Sequence, residues 1–161
     1  MWADSDVDSE QITKLPDGSM VAIWQSNQND LSSIVSSTCT NGSWATPVTI
    51  SDSQENSSSP KLYIDDQGNI TVGWLALDST HHAYVLKVIT KLVGASWGAA
   101  AIVSPVGENV QTFHLKTDSS IVGSLLAIWR SVNAVSGNNG IWVSTALGAA
   151  WSDPTKISTE V

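Results

Sequence analysis

Two adjacent carboxylates, Asp65 and Asp66, are a pair of the kind that acts as acid and base on a glycosidic bond. They stand where a hairpin turn is expected, so their side chains project in different directions, and aspartate is favoured in turns for geometry alone. Asp4, Asp6 and Asp8 alternate like a weak calcium site, although a solvated N-terminal segment is the preferred interpretation. We predict no catalytic residue and no cofactor in this chain.

The histidines and the cysteine offer little metal chemistry. His81 and His82 are adjacent in a Ser/Thr-rich segment, and His114 stands alone. A metal site requires His or Cys at short recurrent spacings with carboxylate support. The single cysteine, Cys39, is expected to fill space near a turn. We predict no metal site.

Three aromatic residues do not recur elsewhere in the sequence and are therefore candidates for ligand contact: Trp142, Tyr84 and Tyr63. The counterparts of Trp142 in the earlier parts of the chain are predicted to be Val35 and Val88. Aromatic rings provide flat apolar platforms that a ligand can stack on, but they also pack in cores and between structural units. Both interpretations stay open at this stage.

These candidates are set within an internal repeat of about 53 residues. One column of tryptophans is spaced by 53 and 54 residues: Trp44, Trp97 and Trp151. Six residues after each of them is Ile or Val, and a serine follows. A second column ends three apolar runs: Trp24, Trp74 and Trp129. Six residues before each is a glycine that predicts a hairpin turn: Gly18, Gly68 and Gly123.

Each repeat predicts four short strands and no helix longer than a turn or two. The second strand is apolar on both faces, with Met20, Ala22 and Trp24 on one side and Val21 and Ile23 on the other. A strand covered on both faces belongs to a sheet stacked between two others, as in a β-propeller. We therefore predict an all-β propeller segment over residues 1–161, with four-stranded blades at approximately 1–51, 52–104 and 105–161.

Charge excludes several classes of partner. The formal net charge is −8, with seven Lys and Arg against fifteen Asp and Glu. Affinity for nucleic acid depends on cations that neutralise phosphates, and anionic membrane faces repel such a chain. No stretch approaches the roughly 18 apolar residues of a membrane span. We predict neither a nucleic-acid nor a membrane partner, and the sequence indicates no cellular compartment.

Three blades leave a closure problem, since closed propellers have about 4–8 blades, and an open stack exposes apolar faces at both ends. Self-association is the expected solution, either as a dimer that forms a six-bladed ring or as a higher multiple such as three chains with nine blades. The alternative is that the chain is a fragment of a larger propeller.

The segments that end at Trp44, Trp97 and Trp151, which we call the outer tryptophans, resemble the Asp-box of sialidase-type propellers, Ser-x-Asp-x-Gly-x-Thr-Trp. The corresponding segments are 37–44, 90–97 and 144–151, and the Asp position holds Cys39, Leu92 and Ala146. The repeats also resemble those of repetitive bacterial propeller proteins. The resemblance implies the propeller fold. Sialidase activity in that family uses three arginines, whereas this chain has Arg130 alone, so we do not expect it.

The predicted function is that of a non-catalytic propeller module that binds a glycan, as a lectin does, or a protein. Repeated crevices suit multivalent binding of weak ligands. The alternatives are a structural scaffold without a ligand and a glycosidase-like fragment whose catalytic residues lie on other blades.

Overall fold

The computed structural model describes residues 6–117 and 124–158, and these ranges form an all-β structure without a helix. None of their segments is a helix long and apolar enough to cross a membrane. Three antiparallel sheets follow one another along the chain, which we call sheet 1, sheet 2 and sheet 3, and none of them closes into a barrel. The strands are rich in Val, Ile, Thr and Trp, residues that suit a pleated, packed surface.

Sheets 1 and 3 have the same construction, with three long strands and a fourth edge strand that is split in two. The strands of sheet 1 are β1 Asp6–Lys14, β2 Met20–Gln28, β3 Leu31–Thr40, β4 Ser43–Trp44 and β5 Val48–Thr49. Both β4 and β5 pair with β3. Pro47 separates them, because proline cannot donate a backbone hydrogen bond. β5 lies where the repeat predicts the fourth short strand, and β4 is an additional short strand before it.

Sheets 2 and 3 continue the pattern. The strands of sheet 2 are β6 Ser57–Ile64, β7 Ile70–Asp78, β8 Ala83–Lys91 and β9 Ala101–Ile102. The strands of sheet 3 are β10 Glu108–Thr117, β11 Ser124–Asn133, β12 Asn139–Leu147, β13 Ala150–Trp151 and β14 Thr155–Lys156. Pro154 separates the last two, as Pro47 does in sheet 1. All strand pairs are antiparallel.

The core lies between the sheets. Sheet 1 contributes Val21 and Ile23 to the first inter-sheet cluster, where they meet Trp74 of sheet 2. The opposite face of sheet 2 meets Phe113 and Trp129 of sheet 3 in the second cluster. Sheet 2 is thus covered on both faces, and its strand β7 is buried at seven consecutive positions. Burial of residues this large is the main favourable term in folding.

The two outer faces of the stack are less covered. Trp24 is half-buried, whereas its counterparts Trp74 and Trp129 are 0% and 1% exposed. Trp24 lies on the face of sheet 1 that points away from sheet 2, and no other sheet of the described ranges covers it. On sheet 3, Leu126 and Ile128 are half-buried for the same reason.

The outer tryptophan column, Trp44, Trp97 and Trp151, is less buried than Trp74 and Trp129 of the second strands. Trp44 is 48% exposed, and Trp97 and Trp151 are half-buried. Each follows the turn into the short edge strand, where neighbouring sheets approach one another least. The outer tryptophan column is therefore only partly enclosed by the sheets.

Aspartate and serine side chains hold the repeated turns and edges. Asp17 Oδ1 accepts a hydrogen bond from the Ser19 amide at 2.9 Å, and Gly18 has a φ of +88° that disfavours other residues. The equivalent glycine of sheet 2, Gly68, also has a φ of +88°, but there the accepting aspartate is Asp65, which bonds the amides of Gln67 and Asn69. Residues 118–123, including Gly123, lie outside the described ranges. The serine that ends each repeat accepts a hydrogen bond from an amide of the third strand: Ser51 from Ile34, Ser104 from Leu86 and Ser158 from Ile141.

Sheets 2 and 3 also fit each other through a glycine. Gly73 lies on β7 where the other second strands have Ile23 and Ile128. A Cβ at Gly73 would lie 2.9 Å from Cε2 of Phe113. The ring of Phe113 therefore occupies the space that a side chain at position 73 would need.

Candidate functional site

A groove of about 570 Å³ opens between the outer parts of sheets 1 and 2, and we call it the sheet 1–2 groove. Its volume lies in the range of small-molecule sites, about 300–1,000 Å³. Sheet 1 contributes Ser36 and Thr49 to its lining, and sheet 2 contributes Ile89, Lys91 and Trp97. The groove thus combines an aromatic wall, an apolar floor and several hydroxyl groups.

Trp97 is positioned by the end of β8. It forms an antiparallel bridge with Lys91, so the two side chains are cross-strand neighbours. One part of the indole packs against the first inter-sheet cluster, and the rest remains accessible, which leaves the residue half-buried. An anchored but accessible indole is a suitable platform for the apolar face of a ligand ring.

Ser36 supplies the buried polar atom of the groove. It lies on β3 opposite Ile23 and is 1% exposed. Its Oγ has no hydrogen-bond partner among the described residues. The neighbouring Ser37 differs, because its Oγ donates to the carbonyl of Ala45 at 2.8 Å. A buried hydroxyl without a partner costs free energy, and a ligand or water in the groove would relieve that cost.

The corresponding positions on sheets 2 and 3 are more apolar. Strand register places Val88 and Val143 where sheet 1 has Ser36. The residues paired with the outer tryptophans are Cys39, Lys91 and Ala146. The sheet 1–2 groove is therefore distinct in having both a serine at this position and a cation beside the indole.

A second cleft, of about 280 Å³, adjoins the first at the hairpin end of sheets 1 and 2. Leu15, Asp17, Lys91 and Val93 line it. Ser19 donates hydrogen bonds to Asp17 from both its amide and its hydroxyl, and these bonds lower the pKa of the Asp17 carboxyl. Lys91 extends along the boundary between the two depressions.

The predicted ligand-contact residues are not gathered in this groove. Trp142 lies in the second inter-sheet cluster, with its Nε1 buried and without a partner among the described residues. Tyr84 is 38% exposed at the start of β8, where its amide donates to Asn109 Oδ1. Tyr63 is half-buried on β6. Their role in ligand contact stays a prediction.

The register corrects two sequence alignments. Trp142 is the counterpart of Val35 and Lys87, not of Val88. Likewise Lys91, not Leu92, occupies the Asp-box position of the second repeat. The physical reason is turn length, because five residues separate Lys91 from Trp97 while four separate the equivalent residues in the other sheets. Alignment from the tryptophans was therefore one residue out of register in sheet 2.

The candidate carboxylates and histidines do not come together in one site, and several of them form hydrogen bonds within their own turns. Asp65 accepts hydrogen bonds from the amides of Gln67 and Asn69 within its turn. His81 Nδ1–H donates to Asp78 Oδ2 at 2.6 Å, and this bond is the main cause that lowers the pKa of the Asp78 carboxyl. Within residues 6–117 and 124–158, no group of three or more His, Cys, Asp or Glu side chains could hold a metal ion. Asp4 lies outside those ranges.

Sequence reasoning did not identify Ser36 and Lys91. Each differs from the residues at the equivalent positions of the other two repeats. Those residues are valines for Ser36 and Cys39 and Ala146 for Lys91. This departure is a usable signal, but it is visible only once the register is known. The contact between the two sheets, which creates the groove, leaves no local pattern in either strand.

Comparison with known proteins shows the fold. No family model matches the chain, and no curated protein matches it. Among solved structures, a GH93 α-L-arabinofuranosidase of Fusarium graminearum in complex with arabinobiose has a TM-score of 0.62 at 17% identity, over 95% of this chain and 49% of the other. An α-L-arabinanase of Penicillium chrysogenum has a TM-score of 0.62 at 12% identity, over 95% and 50%.

A fucose lectin of Kordia zhangzhouensis in complex with methyl-fucoside has a TM-score of 0.57 at 11% identity, over 94% of this chain and 99% of the lectin. These neighbours have β-propeller-type folds. The chain thus spans about half the length of the arabinan-cleaving enzymes and nearly all of the lectin. At these identities the likeness establishes the fold type alone.

Proposed function

We propose that this chain is a non-catalytic carbohydrate-binding module, built as three blades of a β-propeller. The observation that carries the proposal is the sheet 1–2 groove, whose lining includes both the accessible indole of Trp97 and the residue Ser36 with its unpartnered hydroxyl. A sugar has an apolar ring face that stacks on an indole and hydroxyls that satisfy a buried polar atom. The fucose lectin and the arabinan-cleaving neighbours support this class of ligand.

The groove supports binding without catalysis. Its lining, in the described part of the chain, includes no Asp, Glu or His. Hydrolysis of a glycosidic bond uses a pair of carboxyl groups about 5–9.5 Å apart, and neither member is present there. The relation to sialidase Asp-boxes stays a prediction. The aspartate that defines the box is replaced in all three segments, by Cys39, Lys91 and Ala146.

A glycan array followed by calorimetric titration tests the proposal. The wild-type chain is expected to bind at least one sugar class, and Trp97→Ala is expected to weaken that binding at least tenfold. Trp151→Ala removes the equivalent half-buried indole of sheet 3, which lies outside the groove, and as the matched control it should retain affinity. Absence of any sugar binding at millimolar concentration, or equal binding by Trp97→Ala, would contradict the proposal.

We also propose that two chains close a six-bladed ring, each contributing three blades. The face of sheet 1 with Trp24 would cover the face of sheet 3 with Leu126 and Ile128 in the partner. This arrangement repeats the contact already made by Trp74 on sheet 1 and by Trp129 on sheet 2. A two-fold dimer then leaves no outer face uncovered.

An inter-sheet hydrogen bond supports the same arrangement. Asn56 Oδ1 accepts from the Ser32 amide, and Asn109 Oδ1 accepts from the Tyr84 amide, so each sheet is joined to the one before it. The counterpart of these asparagines is Asp6, and the corresponding amide of sheet 3 is that of Asn139. Aspartate keeps the accepting oxygen that this bond requires.

A further inference from the structure

The residue beside each outer tryptophan differs among the sheets. Trp44 pairs with Cys39, Trp151 pairs with Ala146, and Trp97 pairs with Lys91. Two of the three indoles therefore have a small neutral neighbour, whereas the third has an ammonium group. Because cross-strand partners project from the same face of a sheet about 5 Å apart, Lys91 extends along the same wall as the Trp97 ring.

Lys91 is available for a ligand. The ion pairs of the described ranges are His81–Asp78 and Lys87–Glu55, and Lys91 takes part in neither. Asp17 lines the adjoining cleft but accepts its hydrogen bonds from Ser19. Among the described residues that line the sheet 1–2 groove, Lys91 carries the sole formal charge. Lys91 as a whole is half-buried, so water screens its charge less than it screens the charge of a fully exposed lysine.

From this arrangement we propose that the sheet 1–2 groove selects a carboxylated sugar, a uronic acid, over its neutral equivalent. The inference rests on the proposed carbohydrate function and specifies its ligand class. The sugar ring stacks on Trp97, its carboxylate pairs with the Lys91 ammonium, and a ring hydroxyl bonds to Ser36 Oγ. A charge-assisted bond of this kind is roughly twice as strong as a neutral one.

The net charge of the molecule limits the length of that ligand. With a formal charge of −8, the surface as a whole repels a long polyanion. The local cation therefore favours an isolated uronic acid or a short acidic segment. Added salt weakens the attraction to Lys91 but leaves the stacking contact in place.

A matched pair of probes isolates the carboxylate: trigalacturonate and its fully methyl-esterified form, which has the same rings without charge. Calorimetric titration at low salt is expected to show about tenfold tighter binding of the free acid by the wild-type chain. Lys91→Gln should bring the two probes to equal affinity, and Lys91→Arg should keep most of the preference. Lys116→Gln, an exposed lysine on β10, removes the same charge elsewhere and should change nothing. Thermal unfolding verifies that each variant is folded.

The outcomes separate the two proposals. Equal binding of acid and ester by the wild-type chain would overturn the selection of a carboxylate and leave carbohydrate binding intact. A preference for the acid that persists in Lys91→Gln would equally overturn the role of Lys91. Absence of binding for both probes and for every sugar of the array would instead remove the proposed function itself.

Discussion

Single side chains decide whether the sheet 1–2 groove recognises a ligand or merely separates two sheets. Ser36 occupies a position that is valine in both other repeats, and its hydroxyl lies in a buried setting without a partner. A polar atom kept at such a cost in folding is a common feature of binding sites. Trp97 and Lys91 line the same groove from sheet 2.

Replacing Ser36 with valine separates its two effects. Ser36→Val restores the residue of the other repeats, so we expect stability to stay equal or rise by about 1 kcal/mol, because an unsatisfied buried hydroxyl is removed. Sugar affinity should fall about tenfold, since the ligand loses that bond. Urea unfolding and titration measure the two quantities. Ser37→Val, which removes the bonded hydroxyl, is the control and should destabilise. A stable Ser36→Val variant with unchanged affinity would contradict the assignment.

Acid titration gives a second prediction at this scale. The hydrogen bond from His81 holds the Asp78 pKa below its usual value of 3.8. A lowered folded-state pKa means that this contact stabilises the fold at pH above 3.8 and that its contribution is lost as the pH falls through the lowered value. NMR of the Asp78 carboxyl carbon should show a midpoint below 3.8, and His81→Ala should raise it. An unchanged midpoint in that variant would refute the cause.

At the scale of elements, sheets 2 and 3 are matched by shape. Because Phe113 occupies the space above Gly73, we expect Gly73→Val to destabilise by about 1–3 kcal/mol through overpacking. Phe113→Ala should cost about 3–5 kcal/mol by leaving a cavity. In the double variant the new valine partly fills that cavity, so the total should be less than the sum. Urea unfolding of the four proteins measures the coupling, and additive losses would show that the two sites are independent.

The sequence predicted the elements better than it predicted their edges. The second strands were evident from runs such as Val21 to Trp24, since apolar residues on both faces require cover on both sides. The hairpin at Gly18 followed from its glycine and aspartate. The register of β8 was missed by one residue because a longer turn before Trp97 is invisible to spacing alone. The groove could not be predicted, since it depends on how closely two separately folded edges approach.

At the scale of the whole molecule, the uncovered faces of sheets 1 and 3 predict the solution mass. A ring of two chains has a mass of about 34 kDa, twice the 17.0 kDa of one chain. Light scattering should give that value, and dilution should lower it toward that of one chain. A mass of one chain at all concentrations would contradict the ring, and a mass of three chains would indicate the nine-bladed alternative.

The same assembly gives a sharper test at Asp6. Asp6→Asn keeps the accepting oxygen and should leave the mass at about 34 kDa, whereas Asp6→Ala removes it and should weaken association several-fold, the usual effect of losing one hydrogen bond. Asp8→Ala, an exposed change two residues away, is the control. Equal association of all three variants would show that this hydrogen bond does not contribute to the interface between the two chains.

The fit of the Phe113 ring over Gly73 also bears on how such a gene can change. Exchange of DNA between repeats tends to make them uniform or to reorder them, yet here the second unit must offer a glycine and the third must carry the ring that covers it. A chain with these two units transposed would set a ring against isoleucine and leave a hollow elsewhere. The order of the second and third units is therefore constrained by this packing contact.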